Sequence, residues 1–143
     1  MAKYKVLSLW QPWAQLIVLG EKRIETRSWY FSHRGPLLIH AAKRFTKDEY
    51  MICLSDPFRV ALARHRFNQN NLPLGAIVGK VNVVDCRPTY DAYFETLEFE
   101  EEMFGNYEPG RYGIICDLPI LFDEPISTRG FQGLWDYDLP EVA

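Results

Sequence analysis

Three side chains with complementary chemistry lie close together near the start of the chain: Lys22, Glu25 and Arg27. Arginine offers a forked donor to phosphate, and lysine offers a point charge. A carboxylate accepts from the exocyclic amine of a base, or acts as a general base. The cluster therefore indicates a nucleotide pocket, although a solvated strand face with ordinary ion pairs would show the same spacing.

Two tryptophans precede this cluster, around the predicted start of a helix. Gln11-Pro12-Trp13 opens the helix, since proline suits the first helical position. Trp10 and Trp13 bracket that end, where free N–H groups favour an anion. An indole ring also offers a flat surface for a base. Packing of both rings in the core is the alternative interpretation.

Alternation along the next segment predicts a strand over 23–29. Successive side chains of a strand point to opposite faces, so Glu25, Arg27 and Trp29 share one face. The helix is predicted to end at Gly20, and Lys22 follows just beyond it.

The rest of the chain is predicted to combine strands with short helices. Five or six strands interrupted by short helices indicate an α+β domain with a small closed sheet, and 143 residues favour one domain over 1–143. Periodicity alone does not separate a barrel from an open sheet. The other predicted strands cover 5–10, 36–42, 75–85 and 111–118, and the segments 120–126 and part of 130–137 are further candidates. The other predicted helices begin at Thr46, with a capping box to Glu49, at Asp56-Pro57, and at Thr89, which caps an acidic helix over 90–104.

The net charge of −3 hides an uneven distribution. Residues 1–80 carry 13 lysines and arginines against 5 acidic residues, a net of +8, whereas residues 81–143 carry 3 against 14, a net of −11. A cleft lined mainly by the first part would attract an anion despite the acidic total, unless the two parts intermix and cancel. We expect the acidic stretch 95–102 to form a solvated helix face.

The sequence gives no indication of a secreted, membrane or metal-binding protein. No apolar run approaches the ~18 residues of a membrane span, and no signal peptide is evident. Three scattered cysteines indicate a reducing compartment, so we expect a cytoplasmic protein. The histidines lack ligand-like spacing and no phosphate-binding glycine loop is present, so we expect no metal and no cofactor. His40 is expected to be a hydrogen-bonded core residue.

The motif Gly20-x-Lys22-x-x-Glu25-x-Arg27 resembles the signature of the activating signal cointegrator homology (ASCH) family. The resemblance extends over nearly the whole chain and is greatest to the coactivator domain that gives the family its name. It implies a PUA-like small β-barrel of five to six strands, with a cleft between the barrel and the N-terminal helix. It also implies RNA, DNA or a modified nucleoside as the ligand, with RNA favoured. The stretches that carry it are Leu7-Ser-Leu-Trp-Gln-Pro-Trp-Ala, Glu25-Thr-Arg-Ser-Trp-Tyr, His33-Arg-Gly-Pro-Leu, Ala41-Ala-Lys and Gly133-Leu-Trp-Asp.

The same resemblance suggests which residues contact the ligand. Carried over position by position, the candidates are Lys22, Glu25 and Arg27, then Trp10, Gln11, Trp13 and Trp29, and with less support His40, Lys43, Arg34 and Tyr112.

Two alternatives to a binding domain stay open. Some bacterial proteins that resemble this motif are acetylcytidine amidohydrolases, but they have a nucleophilic Thr at the position of Glu25. Here Glu25 would instead activate a water and Lys22 would stabilise the oxyanion, in a metal-independent amidohydrolase or a ribonuclease. The other alternative is a protein-interaction module in transcription regulation.

Overall fold

The computed structural model describes residues 1–140 and is organised around one six-stranded mixed sheet. The last three residues of the predicted domain, 141–143, lie outside the described part. The strands are β1 (Ala2–Leu9), β2 (Ile24–Arg27), β3 (Gly35–Ala41), β4 (Ala76–Pro88), β5 (Tyr112–Ser127) and β6 (Leu134–Leu139). The helices are α1 (Trp13–Val18), α2 (Lys47–Cys53), α3 (Phe58–Ala63) and α4 (Phe99–Phe104), with a 3-10 turn at Ala92–Phe94.

The strand order is β2-β5-β4-β3-β1-β6. β1 pairs in parallel with β3, with Val6 opposite Leu38, and antiparallel with β6, with Val6 opposite Trp135. The predicted α+β class with six strands is confirmed. Within residues 1–140 no ladder joins β2 to β6, so the sheet is barrel-like but has an open seam.

Five of the six residues of helix α1, from Ala14 to Val18, are buried. Ile17 and Val18 pack on the sheet, and Leu16 packs against Phe58 of α3. Such a helix lies between two layers and has no solvated side. The contact with the sheet is close because residue 79 is glycine: a Cβ there would lie 2.8 Å from Val18.

The two strands predicted over 111–118 and 120–126 are one strand, β5. It bends at Leu118, whose φ of +49° is left-handed, and its register against β4 shifts at several points. Such irregularities bend a strand without ending it, and the sequence around Leu118-Pro119 mimics a turn.

The acidic segment departs most from the prediction. The expected helix over 90–104 is a 3-10 turn followed by α4. Asp91, not Thr89, caps the turn, by accepting a hydrogen bond from the Tyr93 N–H. The Thr89 hydroxyl donates to the Glu108 carbonyl oxygen at 2.8 Å instead. The capping box from Thr46 to Glu49 at the start of α2 is confirmed.

The expectation of a solvated acidic face is wrong at Glu101, which is 4% exposed. Its carboxylate accepts hydrogen bonds from the backbone N–H groups of Arg23 at 2.7 Å and Ile24 at 3.4 Å. α4 thereby fixes the start of β2, the edge strand that carries Glu25 and Arg27.

Replacing Glu101 with Ala should lower the free energy of unfolding by about 3 kcal/mol, because it removes the acceptor of two backbone donors and a carboxylate close to buried Lys22. Urea unfolding measures the change. The matched control is Glu100→Ala, an exposed glutamate of the same helix, which should change stability by less than about 0.5 kcal/mol. Equal effects of the two variants would contradict the anchoring role.

Candidate nucleic-acid interface

A cleft of about 1210 Å³ opens beside β2 and the C-terminal end of β1. The loop 128–133 and the segment after α4 form its other walls. Six of the predicted site residues line it: Trp10, Trp13, Glu25, Arg27, Trp29 and Lys43.

Glu25 and Arg27 form a charged pair on the cleft-facing side of β2. Arg27 Nε lies 3.1 Å from Glu25 Oε2, and Arg27 Nη2 donates to the Ser8 carbonyl oxygen at 2.9 Å. The first contact is an ion pair rather than an aligned hydrogen bond, since Nε has no hydrogen-bond partner within residues 1–140. Ile24 and Thr26 alternate with this pair along β2 and are buried, although Thr26 also belongs to the cleft wall. This is the alternation that the sequence predicts.

Lys22 lies next to Glu25 but does not line the cleft. Its side chain is fully buried, its ammonium donates to the Ile24 carbonyl oxygen, and Nζ lies 3.9 Å from Glu25 Oε1. Burial lowers the pKa of Lys22, and the carboxylates of Glu25 and Glu101 oppose that shift. In this position the ammonium interacts with Glu25 without lining the cleft. A direct contact between Lys22 and a ligand stays a prediction.

The cleft tryptophans differ in their freedom to stack on a ligand. Trp10 is 48% exposed, and the Arg44 guanidinium lies over its ring at 4.1 Å. Glu49 holds Arg44 through an ion pair of 3.3 Å. Trp29 is 38% exposed, whereas Trp13 is half-buried with its ring edge-on to Phe58. Trp10 and Trp29 therefore offer the accessible indole surface.

Four other predicted residues lie outside the cleft lining. Gln11 is buried and donates to Gln15 and to the Pro73 carbonyl oxygen. Arg34 pairs with Asp85 at 3.6 Å. Tyr112 packs against the Tyr30 ring. His40 is buried behind the cleft, as expected, with its imidazole against Ser8. Their predicted contacts with a ligand stay predictions.

The cleft also contains cations and an aromatic ring that sequence reasoning did not single out. Arg111 lines it and donates to the Thr26 carbonyl oxygen at 3.1 Å, and the Arg129 guanidinium lies over the Phe131 ring at 5.3 Å. The glycine- and aromatic-rich composition of 130–137 indicates that this segment is ordered, but it does not indicate that the segment lies beside the cleft. Among residues 1–140, the lining has four cations, Arg27, Lys43, Arg111 and Arg129, and one carboxylate, that of Glu25.

In the part of the chain that the structure describes, no cluster of three or more His, Cys, Asp or Glu side chains is arranged to hold a metal ion. None of the helices between residues 1 and 140 is long and apolar enough to cross a membrane.

Comparison with known proteins links the chain to one family. The model of the ASCH domain family matches residues 7–125. Activating signal cointegrator 1 of Mus musculus and that of Homo sapiens are each 39% identical to the chain over 134 residues, which is 92% of this chain and 22% of each relative. The chain therefore spans about a fifth of the length of these relatives.

Solved structures of ASCH from Zymomonas mobilis share the fold. The unmodified protein gives a TM-score of 0.53 over 92% of this chain and 85% of its own, at 14% identity. A mutant of it gives 0.54 over 94% of this chain and 89% of its own, also at 14% identity. At this identity the likeness is one of fold alone.

Replacing Lys22 with Met should remove a pH dependence of stability. Because the pKa of folded Lys22 lies below the ordinary 10.5 of lysine, the unfolded chain binds more protons between these two values. In that window the contribution of Lys22 to the free energy of unfolding rises with pH. The free energy of unfolding of wild type, minus that of Lys22→Met, should therefore increase as pH rises towards 10.5.

Urea unfolding from about pH 7 to about pH 10 measures this difference. Lys47→Met, at an exposed lysine, is the control and should follow wild type at every pH. A constant difference between wild type and Lys22→Met would contradict the lowered pKa of Lys22.

Proposed function

Because this chain belongs to the ASCH domain family, we propose that its cleft binds a single-stranded RNA segment or a modified nucleotide. ASCH domains have a PUA-like fold, which is consistent with RNA binding. The observation that carries the proposal is the presence of exposed indole surface beside four cations in one cleft. A protein partner of this chain and hydrolysis by Glu25 stay predictions.

The charge of the cleft supports an anionic ligand although the chain as a whole is acidic. Arg27, Lys43, Arg111 and Arg129 outnumber Glu25 on the lining, and cations concentrated in a concave surface attract an anion more than net charge predicts. Three of these side chains are arginines, whose guanidinium groups bind phosphate with two parallel donors. A phosphodiester backbone entering the cleft would meet these groups.

The aromatic surface supports a base that has left its stack. Trp10 and Trp29 expose indole surface to the cleft, and bases of single-stranded RNA stack on such rings. The Arg44 guanidinium lies over the Trp10 ring and favours this orientation of the ring through a cation–π contact. Glu25 is the acidic group on the lining, and it can accept from the exocyclic amine of a base.

Replacing Arg27 with Ala should weaken binding of a fluorescent single-stranded RNA about tenfold. The slope of log K against log salt concentration should become shallower by about 0.7, the value for one phosphate contact on a single strand. Fluorescence anisotropy over a range of salt concentrations gives both numbers. Arg59→Ala serves as the control, because Arg59 is exposed, pairs with Asp56 and does not line the cleft. If Arg27→Ala kept the wild-type affinity and salt slope, that result would count against a phosphate bound at Arg27.

Replacing Trp10 with Ala should cost about 1–3 kcal/mol of binding free energy with little change in the salt slope, because stacking is lost and no cation is removed. The same anisotropy titration measures the loss. Tyr90, which is 83% exposed and lies outside the cleft, provides the control Tyr90→Ala. A parallel loss in Tyr90→Ala, or none in Trp10→Ala, would contradict stacking on Trp10.

A further inference from the structure

A serine and a histidine meet at the edge of the cleft, outside the Lys22, Glu25 and Arg27 cluster. Ser8 Oγ lies 3.0 Å from His40 Nδ1, and His40 Nε2 lies 2.8 Å from the Thr128 carbonyl oxygen. A carbonyl oxygen only accepts, so Nε2 carries the ring proton. Nδ1 is then left as the acceptor for the Ser8 hydroxyl. The Thr128 carbonyl oxygen thus fixes both the tautomer and the direction of the ring.

The imidazole is held in the neutral form that a base requires. His40 is 2% exposed, and burial lowers the pKa of its ring while the bond to Thr128 opposes that shift. The Trp135 indole N–H donates to Ser8 Oγ at 3.2 Å, which fixes the hydroxyl from a second direction.

The hydroxyl lies where a bound molecule would meet it. Ser8 lines the cleft, and its carbonyl oxygen accepts from Arg27 Nη2, which places a guanidinium beside it. The backbone of Gly130 packs directly against the pair. A Cβ at that residue would lie 2.5 Å from His40 Cε1 and 2.8 Å from Ser8 Oγ. The glycine backbone at 130 is not left-handed, so its conformation does not require glycine, whereas its close approach to the pair does.

We propose that Ser8 is a nucleophile towards carboxylic esters that enter the cleft, with His40 as its general base and Arg27 as the cation nearest the developing oxyanion. The arrangement has the three parts that activate a serine: a nucleophile, a base in hydrogen-bond contact with it, and a third group that orients the base. This activity goes beyond binding, and neither Lys22 nor Glu25 takes part in its chemical step.

The chemical step balances without a cofactor. Ser8 Oγ forms a bond to the ester carbonyl carbon while its proton passes to His40 Nδ1. The bond from that carbon to the alcohol oxygen then breaks, and the alcohol leaves with the proton. Water hydrolyses the acyl-serine by the reverse proton path, so ester and water give acid and alcohol. The guanidinium of Arg27 would stabilise the negative charge on the carbonyl oxygen in both tetrahedral intermediates.

The experiment uses an alkyl fluorophosphonate, which reports the same nucleophile without any nucleic acid. Ser8 Oγ attacks phosphorus, fluoride leaves, and the protein gains the mass of one phosphonyl group. We expect one adduct per chain, mapped to Ser8 by peptide mass spectrometry and absent in Ser8→Ala. Ser28→Ala is the matched control, because Ser28 lines the same cleft and makes no hydrogen bond to a histidine within the described part of the chain, and it should label at the wild-type rate.

His40→Gln should slow labelling about 100-fold or more, the contribution of a general base. Circular dichroism shows whether this buried substitution folds, and if it does not, the site of the wild-type adduct and the Ser8→Ala and Ser28→Ala pair decide the question. An unlabelled wild-type protein, an adduct at another residue, or equal rates in Ser8→Ala and wild type would overturn the proposal. Because the probe contains no nucleotide, these results are independent of whether the cleft binds RNA.

Discussion

One hydrogen bond, from Arg27 Nη2 to the carbonyl oxygen of Ser8, joins the two sides of the seam along which the cleft lies. The pairing of β1 with β6 ends at Leu7 opposite Leu134, so the Ser8 carbonyl oxygen has no ladder partner from β6. The guanidinium of the edge strand β2 takes that place. A side chain thereby connects strands that backbone ladders leave apart, and it does so where a ligand would enter.

The position of Arg27 rests on a layer of charges that begins in the core. Glu101 accepts from the backbone at the start of β2, buried Lys22 lies next to Glu25, and Glu25 forms the ion pair with Arg27. Buried charges are costly unless they are paired and hydrogen-bonded. Each charge in this series lies close to one of the opposite sign, which makes the geometry of β2 sensitive to every member. Loss of any one of these charged side chains should therefore alter the geometry of the cleft, even where the residue itself does not line the cleft.

Local sequence signals predicted the local geometry of the site well. The alternation over 23–29 placed Glu25 and Arg27 on one face, and the Thr46 and Glu49 pattern predicted the start of α2, which now holds Arg44 over Trp10. These features depend on neighbours in sequence, where the period of a strand or the rules of helix capping apply.

The features that could not be predicted depend on contacts between distant residues. Glu101 reads as one more glutamate of an acidic run, and only the folded chain brings it to the backbone of Arg23. The cleft lining from Arg129 and Phe131 arises from the loop that leads into β6. The Ser8 and His40 contact joins β1 to β3 through parallel pairing, which neither residue's own surroundings in the sequence reveal.

The most direct test of the cleft as the ligand site is a crystal structure of the protein with a short single-stranded RNA. We expect a phosphate within hydrogen-bond distance of Arg27 and a base stacked on Trp10 or Trp29. An RNA bound on another surface of the molecule, with this cleft empty, would contradict binding in the cleft.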